Sequence, residues 1–216
     1  MALGRERTIQ GLQEEWTDFS QLLRSLNQEQ WNTPSRCEGW TVGDVARHVV
    51  GTAADVAAGQ PGTHTPEEEV AERQGRTPKE TADELDAALV PLQGMAQIID
   101  DAAWEGPSPA PDFTMRQGVT VLFYDVYVHG DDIRTALGLP TRRGRGLEAS
   151  VEYLAEKLEE QEWGPATLAL DGMEKVSVGA GDGATVTGDP HPFVLAATGR
   201  SDPSELGLDS TVNIYA

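Results

Sequence analysis

The chain has 216 residues, of which 38% are hydrophobic and 24% charged, and its 36 acidic residues against 16 Lys and Arg give a formal net charge of -20. This composition is that of an ordinary globular protein and excludes collagen-like, coiled-coil and low-complexity chains. The negative charge would repel a polyanion, so we expect no nucleic-acid partner. No apolar run approaches the ~20 residues of a bilayer span, and the lone cysteine, Cys37, suits a reducing compartment. We therefore expect a cytoplasmic protein without a membrane partner, either a monomer or a homodimer.

Four segments of the N-terminal two thirds have apolar residues at alternating spacings of three and four, the pattern of amphipathic helices. Threonines followed three residues later by Asp, Glu or Gln predict the starts of three of these helices. The acidic stretch around Glu67 to Glu69 is expected to be a loop or a short exposed helix. The pattern predicts a four-helix bundle over residues 1–140, with helices over about 9–26, 41–58, 78–99 and 115–137.

The pattern changes after the basic, glycine-rich linker 141–146. A further helix is predicted over about 147–162, followed by a β-hairpin around the turn Asp171-Gly172. A third strand, a helix that begins after Asp189 and a last strand over 211–215 complete a small α+β domain over residues 141–216.

Two predicted helices carry the residue types of a metal site. Asp125 and His129 are one turn apart on the fourth helix, and His48 lies at the edge of the apolar face of the second. Two histidines and a carboxylate from facing helices supply three ligands for a divalent cation and leave positions open for substrate. A buried, hydrogen-bonded core histidine is the alternative, and the spacing alone leaves both readings open.

Two longer motifs carry a family resemblance. The segment 37–48, Cys-Glu-Gly-Trp-Thr-Val-Gly-Asp-Val-Ala-Arg-His, resembles a signature of the DinB-like (DinB/YfiT) metalloenzyme superfamily, in the actinobacterial branch that includes mycothiol-dependent maleylpyruvate isomerase. The segment 125–138, from Asp125 through His129 to Ala-Leu-Gly, resembles the second signature. Thr187-Gly188-Asp189-Pro190 and Thr198-Gly199-Arg200 are similar to a small sterol-carrier-protein-like domain attached in the isomerase branch.

The resemblance implies a zinc ion, or alternatively nickel, held by His48, Asp125 and His129 in an up-down-down-up bundle. It also implies mycothiol or a similar low-molecular-weight thiol as co-substrate, and a maleylpyruvate-like unsaturated dicarboxylate that is isomerised or receives the thiol. Asp132 would orient a ligand imidazole, and Arg200 would bind a substrate carboxylate. The isomerase branch usually has Glu where this chain has Asp125, which leaves direct and water-bridged binding both open.

Other readings of these residues stay open at this point. Asp132 is equally interpretable as a solvated acid near a helix end, and Arg200 as a residue that offsets a helix dipole. Cys37 has no histidine close in sequence and is interpreted as a packed structural cysteine. The leading hypothesis is a metal-dependent thiol enzyme, an isomerase or an S-transferase. The alternative is a non-catalytic protein that keeps the fold and binds a metal or a small ligand.

Overall fold

The structure, a computed structural model, describes residues 3–216 and is mostly helical, with a small three-stranded sheet near the C-terminus. It divides into two compact units. The first comprises residues 5–142, and the second comprises residues 143–216 together with residues 3 and 4. Within the described residues, none of the helices combines the length and the apolar character that crossing a bilayer requires.

The first unit contains seven helices: α1 (Arg5–Ser25), α2 (Gln28–Trp31), α3 (Val42–Ala57), α4 (Pro66–Glu72), α5 (Pro78–Ile98), α6 (Asp101–Glu105) and α7 (Met115–Ala136). Helices α3, α4, α5 and α7 each begin after a threonine whose hydroxyl accepts a hydrogen bond from the third backbone N–H of the helix. The side chain of that third residue returns a hydrogen bond to the threonine N–H. These reciprocal bonds satisfy donors that the helix itself cannot pair, which fixes where each helix starts.

The four long helices of this unit share one core. Helix α1 packs against α5 and α7, and α3 packs against the same two helices. The side chains that face inward are fully buried, among them Leu23, Val45, Leu85, Phe123 and Ile133. Burial of each such side chain contributes roughly 1.5–3 kcal/mol. The core therefore holds α3 and α7 side by side.

The acidic stretch forms a short helix, α4, but the expectation that it is exposed is wrong for part of it. Glu69 and Val70 are buried, because α4 packs against α3. The short helices α2 and α6 were not predicted. Helix α2 buries the indole of Trp31 against Gly43 of α3.

The second unit combines two helices with the sheet: α8 (Arg145–Glu160), β1 (Ala166–Leu170), β2 (Val176–Val178), β3 (Ala184–Gly188) and α9 (Pro190–Ala197). The strand order is β2-β1-β3. Strand β1 pairs antiparallel with β2, which confirms the predicted hairpin, and parallel with β3.

The predicted strand over 211–215 is wrong. Residues Ser210–Val212 form a 3-10 turn instead, the second such turn after Pro203–Leu206. The Asp209 side chain accepts hydrogen bonds from the backbone N–H and the hydroxyl of Thr211. Local bonds of this kind offer the backbone an alternative to strand pairing, and they outweigh the β-propensity of Thr, Val and Ile here.

Candidate metal centre

His48 lies in the second turn of α3, where the Thr41 cap sets the register of the helix. Its residue surface is 9% exposed. The Trp40 ring lies edge-on to the His48 imidazole, with 5.5 Å between the ring centroids. The imidazole of His129, from α7, stands nearly perpendicular to that of His48, at 87° and 5.0 Å. Packing of α3 against α7 therefore brings two histidines that are far apart in sequence into contact.

Asp125 completes the cluster from one turn earlier on α7. Its Oδ1 lies 3.6 Å from His48 Nε2 and 3.5 Å from His129 Nε2. The three side chains offer one ligand atom each, and these atoms lie within 4.8 Å of one another. The structure thus brings together the three residues that the sequence predicts as metal ligands.

These distances fit a divalent cation. Zinc bonds to imidazole nitrogen and carboxylate oxygen are about 2.0–2.2 Å long, so two ligand atoms of a tetrahedral site lie about 3.4 Å apart. Both Asp125 contacts are close to that spacing. Two imidazole nitrogens and one carboxylate oxygen are also a ligand set that catalytic zinc sites use. These two spacings are compatible with direct binding by the shorter aspartate side chain.

Each histidine uses its other ring nitrogen to contact a second carboxylate. His48 Nδ1 lies 2.5 Å from Glu69 Oε2, and His129 Nδ1 lies 2.9 Å from Asp132 Oδ2. An ionised carboxylate can only accept a hydrogen bond, so each Nδ1 donates its proton. That assignment leaves Nε2 of both rings as the atom that faces Asp125, an arrangement typical of metal-bound histidines.

The carboxylates also set the charge of His48. Burial lowers the pKa of His48, but Asp125 and Glu69 outweigh this effect and raise the pKa to about 10. In the chain without a cation, His48 is therefore an imidazolium held between two carboxylates. A metal ion that binds Nε2 replaces the proton there, since a ligating imidazole must have that nitrogen deprotonated.

Asp132 is fully buried, which contradicts its interpretation as a solvated acid. The Arg36 guanidinium, on the loop before α3, pairs with Asp132 through Nε and with the buried Asp131 through Nη2. Burying two carboxylates is costly unless a cation and hydrogen bonds compensate them, and Arg36 supplies both. Arg36 was not predicted from the sequence.

Cys37 is half-buried beside this ion pair. Its Sγ donates to Asp132 Oδ2 at 3.2 Å and lies 4.0 Å from His129 Nδ1. Cys37, His129 and Asp132 form a second group with ligand-type atoms within 4.8 Å of one another. Because Arg36 already neutralises Asp132, the group of His48, Asp125 and His129 is the better candidate for a cation.

Arg200 belongs to the second unit and follows α9. Its backbone N–H donates to the carbonyl of Leu195 at 2.7 Å, and its Nη1 donates to the carbonyl of Thr198 at 3.4 Å. These contacts hold Arg200 against the end of its helix. Its role toward a substrate carboxylate stays a prediction.

Fold and site together define a mostly helical protein in which a buried histidine of α3 and a partly buried histidine of α7 share the carboxylate of Asp125. The chain belongs to the family described as the mycothiol maleylpyruvate isomerase N-terminal domain, whose model matches residues 12–134. This match confirms the resemblance to the maleylpyruvate isomerase-like branch of the DinB-like proteins.

Two solved structures are similar to the chain as a whole. One is the crystal structure of the mycothiol-dependent maleylpyruvate isomerase, with a TM-score of 0.68, and the other is that of a variant of this enzyme with one histidine replaced by alanine, with a TM-score of 0.67. Each is 18% identical to the chain, and each match covers 92% of this chain and 90% of the other. At this identity the likeness concerns the fold. No curated protein matches the sequence.

Proposed function

We propose that the protein is a divalent-metal-dependent enzyme that uses a low-molecular-weight thiol of the mycothiol type. It would isomerise a maleylpyruvate-like unsaturated dicarboxylate or transfer the thiol to it. The observation that carries this proposal is the convergence of His48 Nε2 and His129 Nε2 on one oxygen of Asp125, at 3.6 and 3.5 Å. The family to which the chain belongs supports the thiol and the substrate class.

His48, Asp125 and His129 would hold the metal, zinc by the chemistry of the donors or alternatively nickel, in an up-down-down-up four-helix bundle over residues 1–140. When bound, such a cation lowers the pKa of a thiol and keeps its sulfur reactive at neutral pH. Asp132 accepts the Nδ1–H of His129 and so directs Nε2 of that ring toward Asp125. Arg36 pairs with Asp132 and holds its carboxylate in place for that hydrogen bond.

The proposed substrate carries carboxylates, so a cationic group must bind it in a chain whose net charge is -20. We assign this role to Arg200, in a sterol-carrier-protein-like domain over residues 141–216. A guanidinium can donate two parallel hydrogen bonds to one carboxylate, which fixes its orientation as well as its position.

Elemental analysis by mass spectrometry of the untagged protein tests the metal. We expect close to one zinc or nickel ion per wild-type chain and none in the double variant His48→Ala, His129→Ala. The matched control is His64→Ala, His191→Ala, which removes two histidines outside the cluster and should keep the metal. Equal, near-zero metal in all three proteins would refute the proposal and would favour a small-ligand-binding protein that keeps the fold.

If the metal is present, the reaction is tested with mycothiol and cis-unsaturated dicarboxylates. Formation of the trans isomer indicates an isomerase, and accumulation of the thiol adduct indicates an S-transferase. Arg200→Lys keeps the positive charge but loses the paired donors, so we expect it to weaken substrate binding without changing the metal content.

A further inference from the structure

Helix α4 covers the part of α3 that carries His48. Gly51 and Thr52 follow His48 by three and four residues, so all three residues lie on one face of α3. Helix α4 packs against α3 there and places Glu69 over this face. Glu69 is 4% exposed, which is unusual for a glutamate. It is the last of three consecutive acidic residues in the first turn of this seven-residue helix.

Contacts with three residues hold Glu69. Its Oε2 lies 2.5 Å from His48 Nδ1, and its Oε1 accepts a hydrogen bond of 3.1 Å from the Thr52 hydroxyl. Its backbone carbonyl accepts a hydrogen bond of 3.0 Å from Arg73 Nη1. Arg73 in turn forms an ion pair with Glu84 of α5. Side chains of α3 thus hold the carboxylate, and Arg73 holds the backbone that carries it.

The absence of a side chain at Gly51 permits this arrangement. A Cβ at position 51 would lie 2.6 Å from Glu69 Cβ and 2.8 Å from Glu69 Cγ, far inside ordinary carbon–carbon contact distances of about 3.5–4.0 Å. Glycine is costly inside a helix, yet here it lets α4 approach α3 closely enough for Glu69 to reach the imidazole.

From these contacts we infer that Glu69 is a positioning residue for the proposed metal centre. Glu69 accepts the Nδ1–H of His48 and thereby fixes the ring with Nε2 toward Asp125, as Asp132 does for His129. Helix α4 is then the element that places this carboxylate next to His48 Nδ1. The inference rests on the proposed function, because fixing the ring in this orientation matters when His48 Nε2 binds a cation.

The test compares zinc dissociation constants, measured by competition with a chromophoric chelator, for wild type and three variants. Glu69→Gln keeps the size of the side chain and removes its charge, and we expect it to weaken zinc binding about 10- to 100-fold. Thr52→Val removes the hydroxyl that steadies Glu69 and should give a smaller loss. Glu67→Gln removes an exposed charge from the same helix and is the matched control, with no change expected.

A second readout separates positioning from a general loss of structure. In zinc-loaded wild-type protein, nitrogen NMR of the His48 ring should show Nδ1 protonated and Nε2 bound to metal, and Glu69→Gln should broaden or shift the Nδ1–H signal. Both Glu69→Gln and Glu67→Gln should keep the wild-type far-ultraviolet circular dichroism and a cooperative unfolding transition, although the buried Glu69→Gln should unfold at the lower midpoint. An unchanged zinc constant and an unchanged Nδ1–H signal in Glu69→Gln would overturn the positioning role alone. Absence of zinc binding in wild type would instead overturn the proposed function.

Discussion

Replacing Gly51 with alanine tests the packing of α4 against the histidine-bearing face of α3. In an ordinary helix interior, Gly→Ala stabilises a protein by about 0.8–1 kcal/mol, because alanine loses less backbone entropy on folding. At Gly51 the new Cβ would lie 2.6 Å from Glu69 Cβ and 3.1 Å from Arg73 Nη1. Carbon atoms in contact normally lie about 3.5–4.0 Å apart, so the two helices would have to separate by about 1 Å.

Gly94 of α5 provides the matched control. It is also inside a long helix, but nothing lies within 4 Å of the position that its Cβ would occupy. Alanine at Gly94 should therefore bring the gain in helix propensity alone, whereas alanine at Gly51 adds an overpacking cost of about 1–3 kcal/mol. Because the propensity gain is similar in both variants, the difference between their free energies of unfolding measures that cost.

Urea unfolding followed by circular dichroism gives both free energies with comparable slopes, provided that the transition is two-state. We expect Gly94→Ala to raise the free energy of unfolding and Gly51→Ala to lie about 1–3 kcal/mol below it. Equal stabilisation by the two substitutions would show that α4 does not press against Gly51. In that case the contact between Glu69 and His48 would lose its structural basis.

Three further predictions concern the site, the pH dependence and the packing of α2. Asp125→Asn should weaken zinc binding at least about tenfold, since Asp125 is a direct ligand in the proposed centre and its charge should matter no less than that of an outer carboxylate. Chelator competition measures this. Burial, with a smaller contribution from Glu148, raises the pKa of Glu152 to about 6. The fold therefore favours the neutral acid, and stability should fall as pH rises from about 4.5 through about 6. Glu152→Gln should remove that fall in urea titrations at the two ends of this range. Gly43→Ala should lower the unfolding midpoint, because the new Cβ would lie 2.7 Å from the rigid indole of Trp31.

The four long helices of the first unit were predictable because their signals are local. The capping boxes at Thr41, Thr77 and Thr114 depend on two residues three positions apart, and the apolar stripes that follow need one periodicity. The prediction of a strand over 211–215 was wrong because another local signal, a capping side chain, outweighed the strand propensity. The β-branched residues Thr211, Val212 and Ile214 suit a strand, but the Asp209 side chain caps a 3-10 turn there.

Part of the candidate cluster could be predicted from the sequence. Asp125 and His129 lie one helical turn apart, and that spacing alone places them on one face of α7. Bringing His48 to the same point requires that α3 pack beside α7, which the apolar faces suggest without specifying the partner. Arg36 carries no periodic signal, because it lies in a loop and its partners Asp131 and Asp132 are about 95 residues further along the chain.

The burial of Glu69 could not be predicted from the sequence. Glu69 sits in an acidic run that by composition belongs in solvent, and its burial depends on Gly51, which permits close approach of a second helix. A glycine inside a helix is a signal of such an approach, but Gly94 is also inside a helix and nothing lies within 4 Å of the position of its Cβ. The two positions differ because α4 packs against α3 at Gly51, whereas nothing packs against α5 at Gly94. This difference depends on the tertiary structure and cannot be predicted from the sequence around either glycine.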